Sequence, residues 1–455
     1  MAKERINRRE DGLARRLTRF ARVSAGLTGV AARGAGRALG GTKLFSASNA
    51  ADLTAVLGNL RGPVMKVAQF VATIPGVLPK EVAAPLLSLQ TNAPPMGAGF
   101  VRRRMAAELG ADWEKKFRRF DREASAAASL GQVHRALGKD GRQLACKLQY
   151  PDMAAAVDSD IRQLKLALQL QRQFDSTIDT RDFAREIAAR LAEELDYERE
   201  AAHMRLYGKM LAECDDIAVP EPVSALSTKR LLTMTWLDGR PILEFEDAPL
   251  AIRNRIATAL FRAWWKPFAH YGVIHGDPHL GNYTVRAGGG INLLDYGCVR
   301  TFPPGFVDGV IGLYHALKHG DDALAAKSYR AWGFSSVTPQ LADVMNMWAR
   351  FIFTPLLDDR VRLVDDGVPA AEYGLKQANE VHARLKELGG IKPPREFVFM
   401  DRAAIGLGGA LIRLGAKLNF HRLFEEEIAN FNCASLATRQ RSAFRKAGVP
   451  LPETT

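Results

Sequence analysis

The sequence predicts an α+β fold in which two stretches of short strands are set among longer helices. Three observations predict it. Residues 117–150 and 217–237 are short apolar runs broken by turn residues. Residues 154–213 are rich in Ala, Leu, Gln and Arg with no internal proline. From residue 303 onward the pattern is largely helical. The expected organisation is a basic segment at 1–45, a helical extension at 46–115, a strand-bearing lobe with inserted helices at 116–237 and a helical lobe at 238–455.

In residues 1–45, Leu13, Leu17, Phe20, Val23, Leu27 and Val30 recur every three or four positions. They form an apolar stripe flanked by Arg15, Arg16, Arg19 and Arg22. Such a helix lies on an anionic membrane surface or docks on the protein's own body. The segment holds eleven Lys/Arg against Glu4, Glu10 and Asp11, so it carries 11 − 3 = +8 of the chain's +13. The remainder is nearly balanced, which excludes a general nucleic-acid binder.

The chain has 455 residues, 47% hydrophobic and 25% charged, enough for two or three structural units. Its four cysteines, Cys146, Cys214, Cys298 and Cys433, stand far apart. That spacing speaks against a disulfide framework or a zinc site and for a reducing compartment. No run of about 18 apolar residues predicts a transmembrane helix, and no compact apolar run near the start reads as a secretory signal. The Arg-rich start resembles a mitochondrial transit peptide, against which its early acids count.

Residues 50–115 read as helices punctuated by Pro75, Pro79 and Asn92-Ala93-Pro94-Pro95. A strand at Phe117–Phe120 then leads into a small-residue loop, Ala124 to Ser129. Strands follow at 131–136 and 143–150, joined by a turn at Gly138-Lys139-Asp140-Gly141. Lys147 ends the apolar run Leu144-Ala145-Cys146. There it can point at nucleotide phosphates if a carboxylate holds it. The acidic run Glu193-Glu194-Leu195-Asp196-Tyr197-Glu198-Arg199-Glu200 supplies candidates, and on one continuous helix Glu194 and Glu198 would share a face. Residues 248–272 are helical, and 273–300 hold two apolar runs joined by a Gly288-Gly289-Gly290 turn.

The strongest signal is His275-Gly276-Asp277-Pro278-His279-Leu280-Gly281-Asn282, followed by Leu293-Leu294-Asp295-Tyr296-Gly297. Phosphoryl transfer needs a magnesium-nucleotide held in place and an acceptor oxygen aligned with the terminal phosphate. Magnesium prefers oxygen ligands, which an Asp and an Asn on adjacent loops provide. Asp277 and Asn282 have the spacing of a kinase catalytic loop. Asp277 is then the candidate base or acceptor-orienting residue, and Asn282 and Asp295 the metal ligands. Taken singly, each residue reads equally well as a cap, a turn or a solvated charge; the order and spacing together carry the chemistry.

These motifs resemble the UbiB/AarF family of atypical, protein-kinase-like proteins. Its Ala-rich loop matches Ala126-Ala127-Ala128-Ser129-Leu130-Gly131-Gln132-Val133-His134, and its lysine strand matches Ala145 to Pro151. Its acidic helix matches Glu194 to Ala201, and its two loops match His275–Asn282 and Asp295–Gly297. The resemblance spans about residues 50–300. It implies a bilobal, protein-kinase-like fold with an N-terminal helical extension and helical C-terminal additions. It also implies ATP and Mg2+ as cofactors, with Ala126, Ala127, Ala128, Ser129 and Lys147 around the phosphates, Glu194 on Lys147, and Met234 and Trp236 at the hinge. The family's Lys-x-Gly-Gln signature falls on Lys66-Val67-Ala68-Gln69, where Ala68 replaces a glycine. In the family this extension covers the peptide groove and its lysine reaches the acidic helix, so Lys66, Gln69, Asp196 and Glu200 are the implied regulatory set. Thr235 stands where relatives often carry an acid.

The expected function is a magnesium-ATP-binding atypical kinase or ATPase in ubiquinone or other isoprenoid-lipid metabolism. Partners would be ATP and a lipid or membrane surface, and a homodimer is compatible with the sequence. The expected place is the cytoplasm, peripheral on the inner membrane, with a mitochondrion or other organelle as the alternative. A catalytically weak pseudokinase that binds lipid or regulates is the first rival. An aminoglycoside- or choline-kinase-like phosphotransferase, which also uses His-Gly-Asp, is the second; the Ala-rich loop and residues 66–69 count against it.

Overall fold

A computed structural model describes residues 96–455 except 129, 152, 154–156, 158–160, 163–187, 190, 278, 279, 335, 336, 367–379, 382, 386, 389–393 and 453–455. The basic segment, Lys66, Gln69 and Ser129 lie outside the described residues. By contacts the chain divides into two units. The first comprises Met1–Trp113, Phe120–Arg135 and Lys147–Leu195, and the second Glu114–Arg119, Ala136–Cys146 and Asp196–Thr455.

The first described helix is α1, Ala98–Leu109. Strands β1 (Phe117–Phe120), β2 (Ala126–Ala128), β3 (Gly131–Gly138), β4 (Gln143–Gln149) and β6 (Leu231–Thr235) make a five-stranded sheet, ordered β1-β3-β4-β6 with β2 on β3. The expected strands and the turn before β4 are present. The small-residue stretch differs from expectation, because Ala126–Ala128 is a strand rather than a loop. It pairs antiparallel with β3, Ala126 facing Val133 and Ala128 facing Gly131. In the first unit Leu130, Tyr150 and Met153 form a small core against Phe100 and Leu195, and Val157, Ile161 and Leu191 form another.

The acidic run departs from expectation too. Leu195 is a turn and Asp196 is non-helical, so Glu194 ends one helix and Glu198 lies in the first turn of the next. Glu194 and Glu198 therefore share no helix face. Asp196 caps the new helix, α2 (Tyr197–Met210), accepting a hydrogen bond from Arg199 N at 3.0 Å.

In the second unit, α3 (Leu250–Tyr271) is the central buried helix. Trp264, Trp265 and Phe268 on it pack against one another and against Phe302 and Phe424. Gly272 ends α3 at φ +65, and an added Cβ there would meet Phe302 O at 2.6 Å. Only glycine fits this turn. It delivers the chain into β8 (Val273–His275), which pairs antiparallel with β11 (Val299–Thr301). Strands β5 (Ile217–Ala218), β7 (Arg240–Pro241), β9 (Tyr283–Val285) and β10 (Ile291–Leu293) form a second sheet in the order β5-β10-β9-β7. The two runs expected in 273–300 are thus four strands, each three residues long. Such lengths fall below what a periodicity reading resolves. Helices α4 (Pro304–His319), α5 (Asp322–Ala331), α6 (Pro339–Leu357), α7 (Arg395–Arg413), α8 (Phe420–Ile428) and α9 (Cys433–Ala447) complete the unit. Among the described residues no helix is long and apolar enough to cross a membrane.

Candidate active site

The second unit holds the two loops expected to carry catalysis and metal, and hydrogen bonds knit them together. His275 ends β8 and is buried. Its Nε2 lies 2.7 Å from Asp295 O, and its Nδ1 accepts the backbone N–H of Asp277 at 3.4 Å. A carbonyl offers no proton, so His275 carries its proton on Nε2 and keeps Nδ1 as an acceptor. One imidazole therefore joins the backbones of Asp277 and Asp295.

A second link runs beside it. Asn282, in a short 3-10 turn, donates through Nδ2 to Asp277 O at 3.0 Å, and Leu294 N donates to Asn282 O at 3.0 Å. With its amide nitrogen so used, Asn282 keeps Oδ1 as its acceptor. Asp295 accepts Gly297 N through Oδ1 at 2.8 Å, closing an Asx-type turn. Asp277, Asn282 and Asp295 are all half-buried. Gly276 sits in a tight space, since an added Cβ would meet Cys298 O at 3.0 Å and Cys298 Sγ at 3.1 Å. The glycine in His-Gly-Asp thus lets β8 and β11 pack closely here.

The expected hinge residues lie on β6 and just after it. Met234 is buried and Trp236 half-buried. Trp236 N donates to Gln143 O at 2.8 Å, and its indole Nε1 donates to Asp238 Oδ1 at 2.9 Å. The hydroxyl of Thr235 accepts Glu221 N at 2.9 Å, so it is used inside the protein. The fully buried Asn292 donates to both Asp238 O and Thr284 Oγ1, at 3.0 and 2.9 Å. It ties the post-hinge loop to β9. Thr233 donates to Leu226 O at 2.6 Å and sits 3.7 Å from Cys146 Sγ. Burial pushes the Cys146 thiol up to about 12.

Glu200, on α2, is only 2% exposed, whereas Glu194 is half-buried in the other unit. Removing a carboxylate so fully from water requires compensating donors or cations. Nothing in the acidic run marked Glu200 as the deeply buried one; the signal lay in the cap at Asp196, which fixes the phase of α2.

In the first unit, Lys147 lies on β4 and is 8% exposed. Ala126 is exposed on the hairpin. Beneath it runs a buried polar chain. Gln132 exchanges hydrogen bonds with Met96, Oε1 accepting Met96 N at 2.7 Å and Nε2 donating to Met96 O at 3.2 Å. The same amide lies 2.8 Å from His134 Nε2, and His134 Nδ1 lies 2.9 Å from Asp121 O. Burial holds His134 below its ordinary value, so it is a neutral relay with its proton on Nδ1. Sequence reasoning quoted Gln132 and His134 without assigning them a task. Their polar types in an apolar strand were the available signal.

The model of the ABC1 atypical kinase-like domain matches residues 88–329. Caenorhabditis elegans atypical kinase coq-8, mitochondrial, is 31% identical over 64% of this chain and 39% of that protein. Saccharomyces cerevisiae atypical kinase COQ8, mitochondrial, is 30% identical over 58% of this chain and 53% of that protein. The chain thus spans about two-fifths to one half of these relatives. Among solved structures, Mycobacterium tuberculosis Rv3197, determined with erythromycin, superposes with a TM-score of 0.59 at 26% identity over 84% of this chain and 96% of that one. The kinase-like α+β expectation holds, and the chain belongs to the ABC1, or UbiB/AarF, family of atypical kinase-like proteins.

Proposed function

We propose that this protein binds magnesium-ATP and acts as an atypical kinase or ATPase supporting ubiquinone or other isoprenoid-lipid metabolism at a membrane surface. The observation that carries the nucleotide part is the hydrogen-bonded frame in which His275 and Asn282 connect Asp277 with Asp295 and Leu294. The names of the COQ8 relatives support the ubiquinone part.

The donor set fits magnesium. Asn282 and Asp295 offer oxygens, and among the described residues no group of three or more His, Cys, Asp or Glu could hold a metal. Magnesium is commonly held by one or two protein oxygens together with waters and phosphates. When bound, the ion would neutralise charge on the transferring phosphoryl group. Asp277 orients the acceptor hydroxyl or water and receives its proton. Lys147 and the residues Ala126, Ala127, Ala128 and Ser129 hold the phosphates, and Met234 and Trp236 flank the adenine. Glu194 stays the candidate counter-charge for Lys147. Lys66 and Gln69 stay in the proposal as regulators together with Asp196 and Glu200.

A thermal-shift titration with ATP, ADP and GTP, each with and without magnesium, tests the reading. It is to be paired with ATP turnover by wild type and Asp295→Asn. A magnesium-dependent ATP shift with turnover lost in Asp295→Asn is the expected result. No shift with any nucleotide sinks the reading, and a shift without turnover in either protein leaves a nucleotide-binding regulator.

A further inference from the structure

Helix α2 has a second task beyond presenting acidic residues. Arg199, His203 and Tyr207 are spaced by four and so lie along one helix face. All three meet the loop after β10. Arg199 Nη1 donates to Gly297 O at 3.3 Å. His203 Nδ1 lies 3.2 Å from Tyr296 O. The Tyr207 ring packs against Tyr296 with centroids 5.3 Å apart and meets His275 edge-on at 6.3 Å. Together with His275 on Asp295 O, side chains engage three successive carbonyls, those of residues 295, 296 and 297. Two of the three come from one helix.

The chemistry of the middle contact is restricted. Tyr296 O can only accept, so His203 donates from Nδ1–H. His203 is 3% exposed, and burial with the nearby Arg199 charge pushes it down to about 3. It is a neutral donor in one tautomer. A row of fixed carbonyls prevents the peptide units of residues 295–297 from rotating, and such a rotation would swing the Asp295 carboxylate away from any cation. Fixing a ligand before the ion arrives removes an entropic cost from binding.

We propose that His203 and Arg199 are positioning residues for the magnesium ligand Asp295, so that α2 sets metal affinity without touching metal or nucleotide. The proposal rests on the magnesium-nucleotide reading above. His203→Asn keeps an amide donor at the position of Nδ1; His203→Leu removes it at similar bulk.

The experiment measures the magnesium concentration that half-saturates the ATP-dependent thermal shift, alongside ATP binding in EDTA and the melting temperature of the unliganded proteins. In His203→Leu the magnesium midpoint is expected to rise about tenfold or more, within the range typical for lost outer-sphere partners of metal ligands. ATP binding in EDTA should be unchanged, and His203→Asn should stay near wild type. Arg199→Ala, at a half-buried position, should raise the midpoint in the same direction and serves if His203→Leu does not fold. An unchanged midpoint in the folded variants overturns the proposal, as does an Asn variant no better than Leu. A wild type without any magnesium-dependent ATP shift overturns the nucleotide reading itself, and the positioning role with it.

Discussion

Asn282 donates its side-chain amide to the carbonyl of Asp277, 3.0 Å away, so the candidate metal ligand also fixes the candidate base. Asn282→Asp keeps an oxygen for a cation but replaces the donor with a second acceptor facing a carbonyl. Loss of the hydrogen bond plus the new repulsion should cost about 1–3 kcal/mol at this site. ATP turnover should fall more in Asn282→Asp than the change in magnesium midpoint alone explains, because Asp277 is released as well. Steady-state kinetics at saturating magnesium separates the two; recovery of full turnover there would mean that Asn282 serves the metal only.

Gly276→Ala is expected to lower stability by about 1–3 kcal/mol, as overpacking does. The added methyl meets the backbone oxygen and the sulfur of Cys298 at once. Cys298→Ala relieves only the second contact, so the double variant should recover part of the loss. Denaturant melts of the two single variants and the double variant measure it, and full recovery would show that the backbone contact is harmless.

Asp196 caps α2 through Arg199 N. Asp196→Ala should cost about 1 kcal/mol, and Asp196→Ser or Asp196→Asn much less. If the carboxylate also answers Lys66, Asp196→Asn will leave the melting temperature alone and change the nucleotide response. Identical nucleotide responses in wild type and Asn would reduce Asp196 to a cap.

Asp401, on α7, accepts the Trp348 indole N–H at 2.8 Å, and burial pushes its carboxyl from 3.8 up to about 6. Between those values the folded protein holds the proton and the unfolded chain does not, so stability falls as pH rises through this window. Above it the full cost of the buried charge is present. Asp401→Asn keeps an oxygen for Trp348 and should gain about 1–3 kcal/mol at pH 7.5, with the gain gone below pH 4. Melting curves at both pH values decide, and an equal effect at each would place the cause outside ionisation.

The order of motifs made the family and the candidate site legible, because Asp277, Asn282 and Asp295 need only local spacing to be recognised. Strand β2 was hidden, since three alanines carry no alternation and pair only because β3 supplies a partner. The break at Asp196 was hidden for a related reason. An acidic stretch reads as one helix until a side chain spends itself on a backbone N–H three residues on. Arg199 and His203 left no trace in the sequence, because their partners are main-chain carbonyls about ninety residues away.

Of the four cysteines only Cys146 is fully enclosed, and the other three are partly open to solvent. A thiol so reluctant to ionise does not react with alkylating reagents while its strand stays paired. Modification at Cys146 therefore requires the sheet beside Lys147 to open first. The slow phase of labelling, followed by mass spectrometry after the three quick sites are filled, becomes a clock for that opening. Bound nucleotide should slow it.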